Sequence, residues 1–329
     1  MISPEGEDRS RSRVTAFAKG RKPEEALSPA IRELCAVIID YGFSSGRLSS
    51  GSAEEAPSSR DLERDLRIAF NAFQQSRFTA AASRIAMLIA YQAAASVLAK
   101  VGQPDIGWIA AERGLHIAER FASPPVRASL IRQVAFALHS TGRFEPAMDL
   151  AESGAEYLHD EISSDGAALS VYGTLLLVGS MAAARFGDGS RAAGYLQEAD
   201  SAAQHLGRDS NHLWTAFGPT NVAIHRVNTA MELGNIQTAL NSESSLKTDT
   251  VPVERRVRYL LDVARAYSLA GNRDDALGTT LTAERIAPEQ VRQHYLSKQI
   301  VTTLIRSTPG KPAIELARLA ARVKVRELI

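Results

Sequence analysis

The sequence predicts an all-α protein in which paired helices stack into a solenoid. Three observations carry this. Alanine is very frequent, with leucine, arginine and glutamate between, and these are strong helix formers. Alternation of apolar and polar residues at period two, the mark of half-buried strands, is hard to find. Small residues also recur at fixed offsets from a series of glycines. In GNRDDALGTTLTAERIAP, residues 271–288, Gly271 is followed by Ala276, Ala283 and Pro288 at five, twelve and seventeen positions. Tyr267 and Ala264 precede it by four and seven.

The same offsets appear elsewhere. Gly142 leads to Ala147, Gly187 to Ala192 and Ala199, and Gly234 to Ala239. Gly102 leads to Gly107 and Gly114, and Ser76 takes the glycine's place before Ala81. Seven residues before these six turns stand Ala69, Ala95, Ala135, Ser180, Val227 and Ala264. A glycine between antiparallel helices permits a tight turn at positive φ. Small residues on both helices let the backbones approach closely. Residues 257–290 therefore resemble the tetratricopeptide repeat, a helix–turn–helix unit that stacks into a superhelix, and the other units are degenerate versions of it.

In chain order, residues 1–41 form a small separate piece, whose convincing helix runs from about Ser28 to Tyr41. Cys35, the single cysteine, packs there as a small hydrophobe, so no intrachain disulfide and no cysteine metal site can form. Residues 42–59, with three Gly, seven Ser and one Pro, read as a flexible linker. The repeat domain spans 60–329, with Ser58 or Ser59 capping its first helix near Asp61. Residues 77–101 hold no Gly and no Pro, so 79–101 is expected as one uninterrupted helix. From Gly102 the turn-to-turn intervals are 40, 45, 47 and 37, then 39 to Gly310, each with room for two helices.

Composition narrows the function. A formal net charge of +1 argues against whole-surface attraction to nucleic acid or anionic membrane. The N-terminus is acidic and then basic, unlike a secretory signal. IAMLIAYQAAASVLA, at 85–99, reads as the longest apolar run and falls short of the roughly 20 residues a bilayer span needs. A soluble cytoplasmic protein without membrane contact follows. No GxxxxGK[ST] or HExxH occurs, and GDGSRAAG at 187–194 occupies a repeat turn after a helix, not a strand. The seven histidines are scattered; His205 with His212, or His225 alone, are the metal ligands one could imagine, against the commoner packing role. No carboxylate pair stands out for acid–base work. No enzymatic activity, cofactor or metal is expected.

A stacked array offers a groove instead. In the repeat register, the groove face of successive first helices would carry Ser129, Arg132, Phe136 and His139, then Met181 and Arg185, then Asn221, Ile224 and Asn228, then Arg258 and Arg265. Asn221 and Asn228, two helical turns apart, share a face and could exchange hydrogen bonds with a peptide backbone. Arginine can hold a carboxylate by two bonds. The candidate partner-binding set is therefore Arg132, His139, Arg185, Asn221, Asn228, Arg258 and Arg265, with solvated helix-surface residues as the competing interpretation. An exposed Asn228 could be replaced by alanine without harm to the helix.

HLWTAFGPTNVAIHRVNTAMELGN, at 212–235, is the most distinctive stretch. With YQAAASVLAKVGQPDIGWIAAERGL, VAFALHSTGRFEPAMDLAE and VPVERRVRYLLDVARAYSLAGNRDDAL, it resembles the C-terminal repeat region of actinobacterial transcriptional regulators, over about residues 58–329. The resemblance implies a regulatory role and an N-terminal helix-turn-helix domain. RSRVTAFAKGRKPEEALSPAIRELC resembles the second half of such a domain, from the recognition helix onward; only 41 residues precede the linker. Six Lys/Arg and no Asp/Glu lie between Arg9 and Pro23, with Arg11, Arg13, Thr15, Lys19 and Arg21 as DNA-facing candidates. A disordered basic tail is the other interpretation. Two functions are open: a transcriptional regulator whose repeats bind a peptide or protein, and an interaction adaptor without DNA contact. A homodimer is compatible with either.

Overall fold

The computed structural model describes residues 90–118, 123–162, 166–243, 246–308 and 312–325. The basic N-terminal candidates Arg11, Arg13, Thr15, Lys19 and Arg21 lie outside them. So do Cys35, the 42–59 linker, the start of the array, the Ser76 turn and Gly310. Every regular element among the described residues is helical, as the sequence predicts. The chain divides into two compact units, Met1–Gly142 and Arg143–Ile329.

In the first unit, residues 90–100 are helical, followed by α1 (Pro104–Ala118) and α2 (Pro124–Ser140). The expected helix over 79–101 is thus continuous across 90–100 and ends in a turn at 101–102; its first eleven residues are outside the described set. The small residues have a visible purpose. A Cβ on Gly107 would lie 3.1 Å from the Ala95 carbonyl oxygen, and one on Gly114 would lie 3.0 Å from Leu130 and 3.1 Å from Tyr91. Gln92 donates to Ser129 (2.9 Å) and Gln133 donates to Ser96 (2.8 Å), tying the 90–100 helix to α2.

The second unit contains α3 (Phe144–Tyr157), α4 (Gly166–Phe186), α5 (Gly189–Leu206), a 3-10 turn at His212–Trp214, α6 (Pro219–Glu232), α7 (Ile236–Glu243), α8 (Val253–Ala270), α9 (Arg273–Ile286), α10 (Pro288–Gln293), α11 (Tyr295–Ser307) and α12 (Ile314–Arg322). Consecutive helices pack as hairpins: α4 on α5, α6 on α7, α8 on α9. First helices also pack on first helices, α4 on α6, α6 on α8 and α8 on α11.

The turn glycines behave as their spacing predicts. Gly102, Gly142, Gly187, Gly234 and Gly271 have φ between +81° and +98°. At four of them the next residue's N–H donates back into the helix, as with Asn272 to the Tyr267 carbonyl at 2.9 Å. Asp188 then caps α5 by accepting from the Arg191 N–H, so GDGSRAAG is a helix start that its own side chain satisfies. The offset residues form the core. Ala264, Ala276 and Ala283 have no exposed surface and share one cluster, against which Tyr267 packs. Ala135, Ala147, Ser180, Ala192, Ala199 and Ala239 are likewise fully buried. Pro288 begins α10.

Two features escaped the sequence reading. The longest apolar run is α4, GAALSVYGTLLLVGSMAAARF, not 85–99; by length and composition alone its 21 residues could cross a membrane, yet 89% of its apolar window is buried within the protein. Helices α3, α5 and α6 supply that cover. The 47-residue interval arises from a structured connection at 207–218. Leu213, Trp214 and Ala216 all have φ between +49° and +56° there, although none is glycine. Conformations of this kind cost about 1–3 kcal/mol each and persist where surroundings over-determine them. Here Asn211 accepts from the Ala216 N–H, Asp209 accepts from the Thr220 N–H, and the Phe217 ring fills the space over Gly173.

Candidate functional site

The candidate residues fall into both units. Arg132 and His139 lie on α2 in the first. Both are buried, and the His139 ring sits 5.9 Å from that of Phe136. The other five lie in the second unit, on the first helices α4, α6 and α8.

On α6, Asn221, His225, Asn228 and Glu232 recur at three- and four-residue spacing, so they form one stripe. The stripe meets α8, where Arg258, Asp262 and Arg265 follow the same spacing. Asn228 donates to Asp262 Oδ2 (3.2 Å), and Arg265 Nη1 donates to Glu232 Oε1 (2.7 Å). Arg258 Nε reaches Asp262 Oδ2 at 3.2 Å, and its Nη1 lies 3.4 Å from His294 Nε2, at the start of α11. From the other side, Arg185 on α4 brings its Nε to 3.7 Å from Glu232 Oε2, with its guanidinium 5.5 Å from the centre of the Phe144 ring. Arg185 and Arg265, from the hairpins before and after α6, therefore meet on one carboxylate.

The seam is layered by depth. Asn221, with no exposed surface, and Asp262, at 1%, form its floor with His225 and Asn228. The side chains of Arg185, Arg258, Arg265 and Glu232 keep between 17% and 26% of their surface in solvent and form its rim. The seam thus presents three guanidiniums and one carboxylate to solvent. The expectation of an exposed Asn228 differs from what is found, because packing of α6 on α8 turns it inward. Among the described residues, both side-chain atoms of Asn221, His225 Nδ1 and Asp262 Oδ1 make no hydrogen bond to another protein group.

Charge follows this layering. Burial pushes the Glu232 carboxyl up, but Arg265 and then Arg185 outweigh it and hold it below the usual carboxylate range. Burial, with Arg255 and Arg258 nearby, pushes His225 down to about 3, so its imidazole is neutral. Sequence reasoning missed Glu232 and Asp262. The signal was available, since both sit at helical spacing from asparagine or arginine, but charge pairing across two helices needs the packing to be known.

No family's sequence profile matches the chain, and no curated protein matches it. Among solved structures it is similar to BtubC (BKLC) from P. vanneervenii, with 18% identity, 77% of this chain and 95% of that one covered, and a TM-score of 0.40. It is also similar to TTC0263, a thermophilic TPR protein of Thermus thermophilus, with 18% identity, 65% and 97% covered, and a TM-score of 0.41. Ton1535 from Thermococcus onnurineus NA1 is similar at 13% identity, with 89% and 99% covered and a TM-score of 0.27.

Proposed function

We propose that the helical repeats are a non-catalytic docking module that takes a carboxylate-bearing segment of another protein against the Arg185–Arg258–Arg265 rim. One observation supports this above the others: three arginines from two first helices, α4 and α8, gather around two carboxylates, Glu232 and the deeper Asp262, so the local charge is positive. A positive rim over a polar floor suits an anionic group that brings hydrogen-bond acceptors. Asn228 then acts from beneath, its amide hydrogen bond to Asp262 tying α6 to α8 under the rim. Arg265→Gln should weaken partner binding about tenfold or more, the size expected for loss of a charge-assisted bond. The check is a pull-down from lysate with wild-type and mutant protein, alongside thermal melts. Equal capture by a folded mutant would remove the rim from the binding site.

A second reading is transcriptional regulation. The regulator resemblance and the run of basic residues between Arg9 and Pro23 favour it, with Arg11, Arg13, Thr15, Lys19 and Arg21 on the phosphates or bases. Under this reading the repeats bias a DNA-binding segment, in the cytoplasm, with or without a homodimer. A gel shift with genomic fragments between about 50 and 200 mM salt tests it. Binding should fall steeply, because phosphate contact releases counterions; no shift at the lower salt leaves the adaptor reading.

A further inference from the structure

We infer that Glu232 is an internal stand-in for the partner's carboxylate, and that it sets how strongly, and for how acidic a segment, the arginine rim binds. This rests on the docking reading above. Glu232 occupies the place where a ligand carboxylate would make its best contacts. One oxygen accepts from Arg265 Nη1 at 2.7 Å, and the other faces Arg185 Nε at 3.7 Å. It reaches the two from α6, which lies between α4 and α8 in the packing. Its side chain is 17% exposed, so part of it meets solvent.

The two contacts are unequal. At 2.7 Å the Arg265 bond is a strong charge-assisted hydrogen bond, whereas 3.7 Å to Arg185 is an ion pair beyond hydrogen-bond length. As an incoming carboxylate advances, Glu232 must give up its share of Arg265 or carry a like charge close by. An intramolecular competitor of this kind acts at high effective concentration, so it lowers the affinity of every anionic ligand and leaves neutral ones untouched. A single weak carboxylate cannot displace it, and a segment with several can. Glu232 thus selects for acidic density.

The test is fluorescence polarisation with fluorescein-labelled hexaglutamate, and hexaglutamine as the neutral control, on the full chain. Glu232→Gln keeps the side-chain shape and removes the competing charge. It should bind hexaglutamate at least tenfold more tightly than wild type, lose that gain at high salt, and show no gain for hexaglutamine. Glu289→Gln, which removes a charge from an exposed position on α10, should leave hexaglutamate binding unchanged. Should Glu232→Gln fail to fold, Glu232→Asp replaces it: the shorter side chain keeps the charge but cannot span both arginines, and a severalfold gain is expected. If wild type and the folded variant bind hexaglutamate equally and measurably, the rim takes anions but Glu232 is no competitor, and the inference falls alone. If neither binds at millimolar peptide, the docking reading falls with it.

Discussion

Asn228 shows how a single residue changes meaning once its surroundings are known. By spacing alone it is a polar group on a helix face. In the structure its amide donates to Asp262 Oδ2, and Asp262 is 1% exposed. Asn228→Ala should therefore destabilise the protein by about 1–3 kcal/mol, because it takes a donor away from a buried carboxylate. Urea unfolding followed by circular dichroism measures this; an unchanged midpoint would show that Asp262 finds another donor. His225 gives a pH dependence with a definite sign. Its ordinary value is 6.5, and burial beside Arg255 and Arg258 holds it near 3 in the folded chain. Above pH 6.5 both states are neutral there and the contribution to stability is complete. As pH falls from 6.5 toward 3, the unfolded chain takes up a proton that the folded chain refuses, and stability drops. His225→Gln should remove one proton's worth of that slope, about 1.4 kcal/mol per pH unit, between about pH 6 and 4. Parallel wild-type and mutant curves in that window would contradict it. Glu232 acts in the same direction at lower pH, since its depressed value makes the folded chain the weaker proton acceptor.

At the scale of elements, the turns and the helices respond to glycine in opposite ways. Gly142 and Gly271 have φ of +84°, and a Cβ on either would meet nothing within 4 Å. Their requirement is conformational, so Gly142→Ala and Gly271→Ala should each cost about 1–2 kcal/mol. Gly278 lies inside α9, is exposed, and also has open space around its Cβ position. With ordinary helical backbone there, Gly278→Ala should stabilise by up to about 1 kcal/mol. Thermal melts of the three variants should move Tm down, down and up. The helices themselves were legible for the same local reasons: five turn glycines and their buried alanines stand where the offsets put them. The 207–218 connection was not, because a left-handed Leu213 or Trp214 has no propensity signal; the connection is held by side-chain bonds to its own backbone and by the Phe217 ring packed on Gly173.

At the scale of the whole molecule, two compact units invite a test of cooperativity. A Cβ on Gly173 would lie 1.9 Å from the Phe217 ring, well inside contact distance. Gly173→Ala should cost the second unit about 1–3 kcal/mol or more by overpacking α4. In repeat arrays stability is carried by neighbour-to-neighbour interfaces. Hydrogen exchange should therefore quicken in α4 and α6 while amides of 90–118 keep their protection. Uniform loss of protection would show that the units unfold as one. What the sequence determined by itself is the helical content, the turn positions and the small-residue core, because a glycine's φ and a methyl-sized side chain act within one hairpin. What tertiary structure alone decided is which polar groups meet. Asn228 and Asp262 are 34 residues apart, and Arg185 reaches Glu232 from another hairpin. Charge pairing depends on distance and burial in three dimensions, and only the packing of α4, α6 and α8 fixes both.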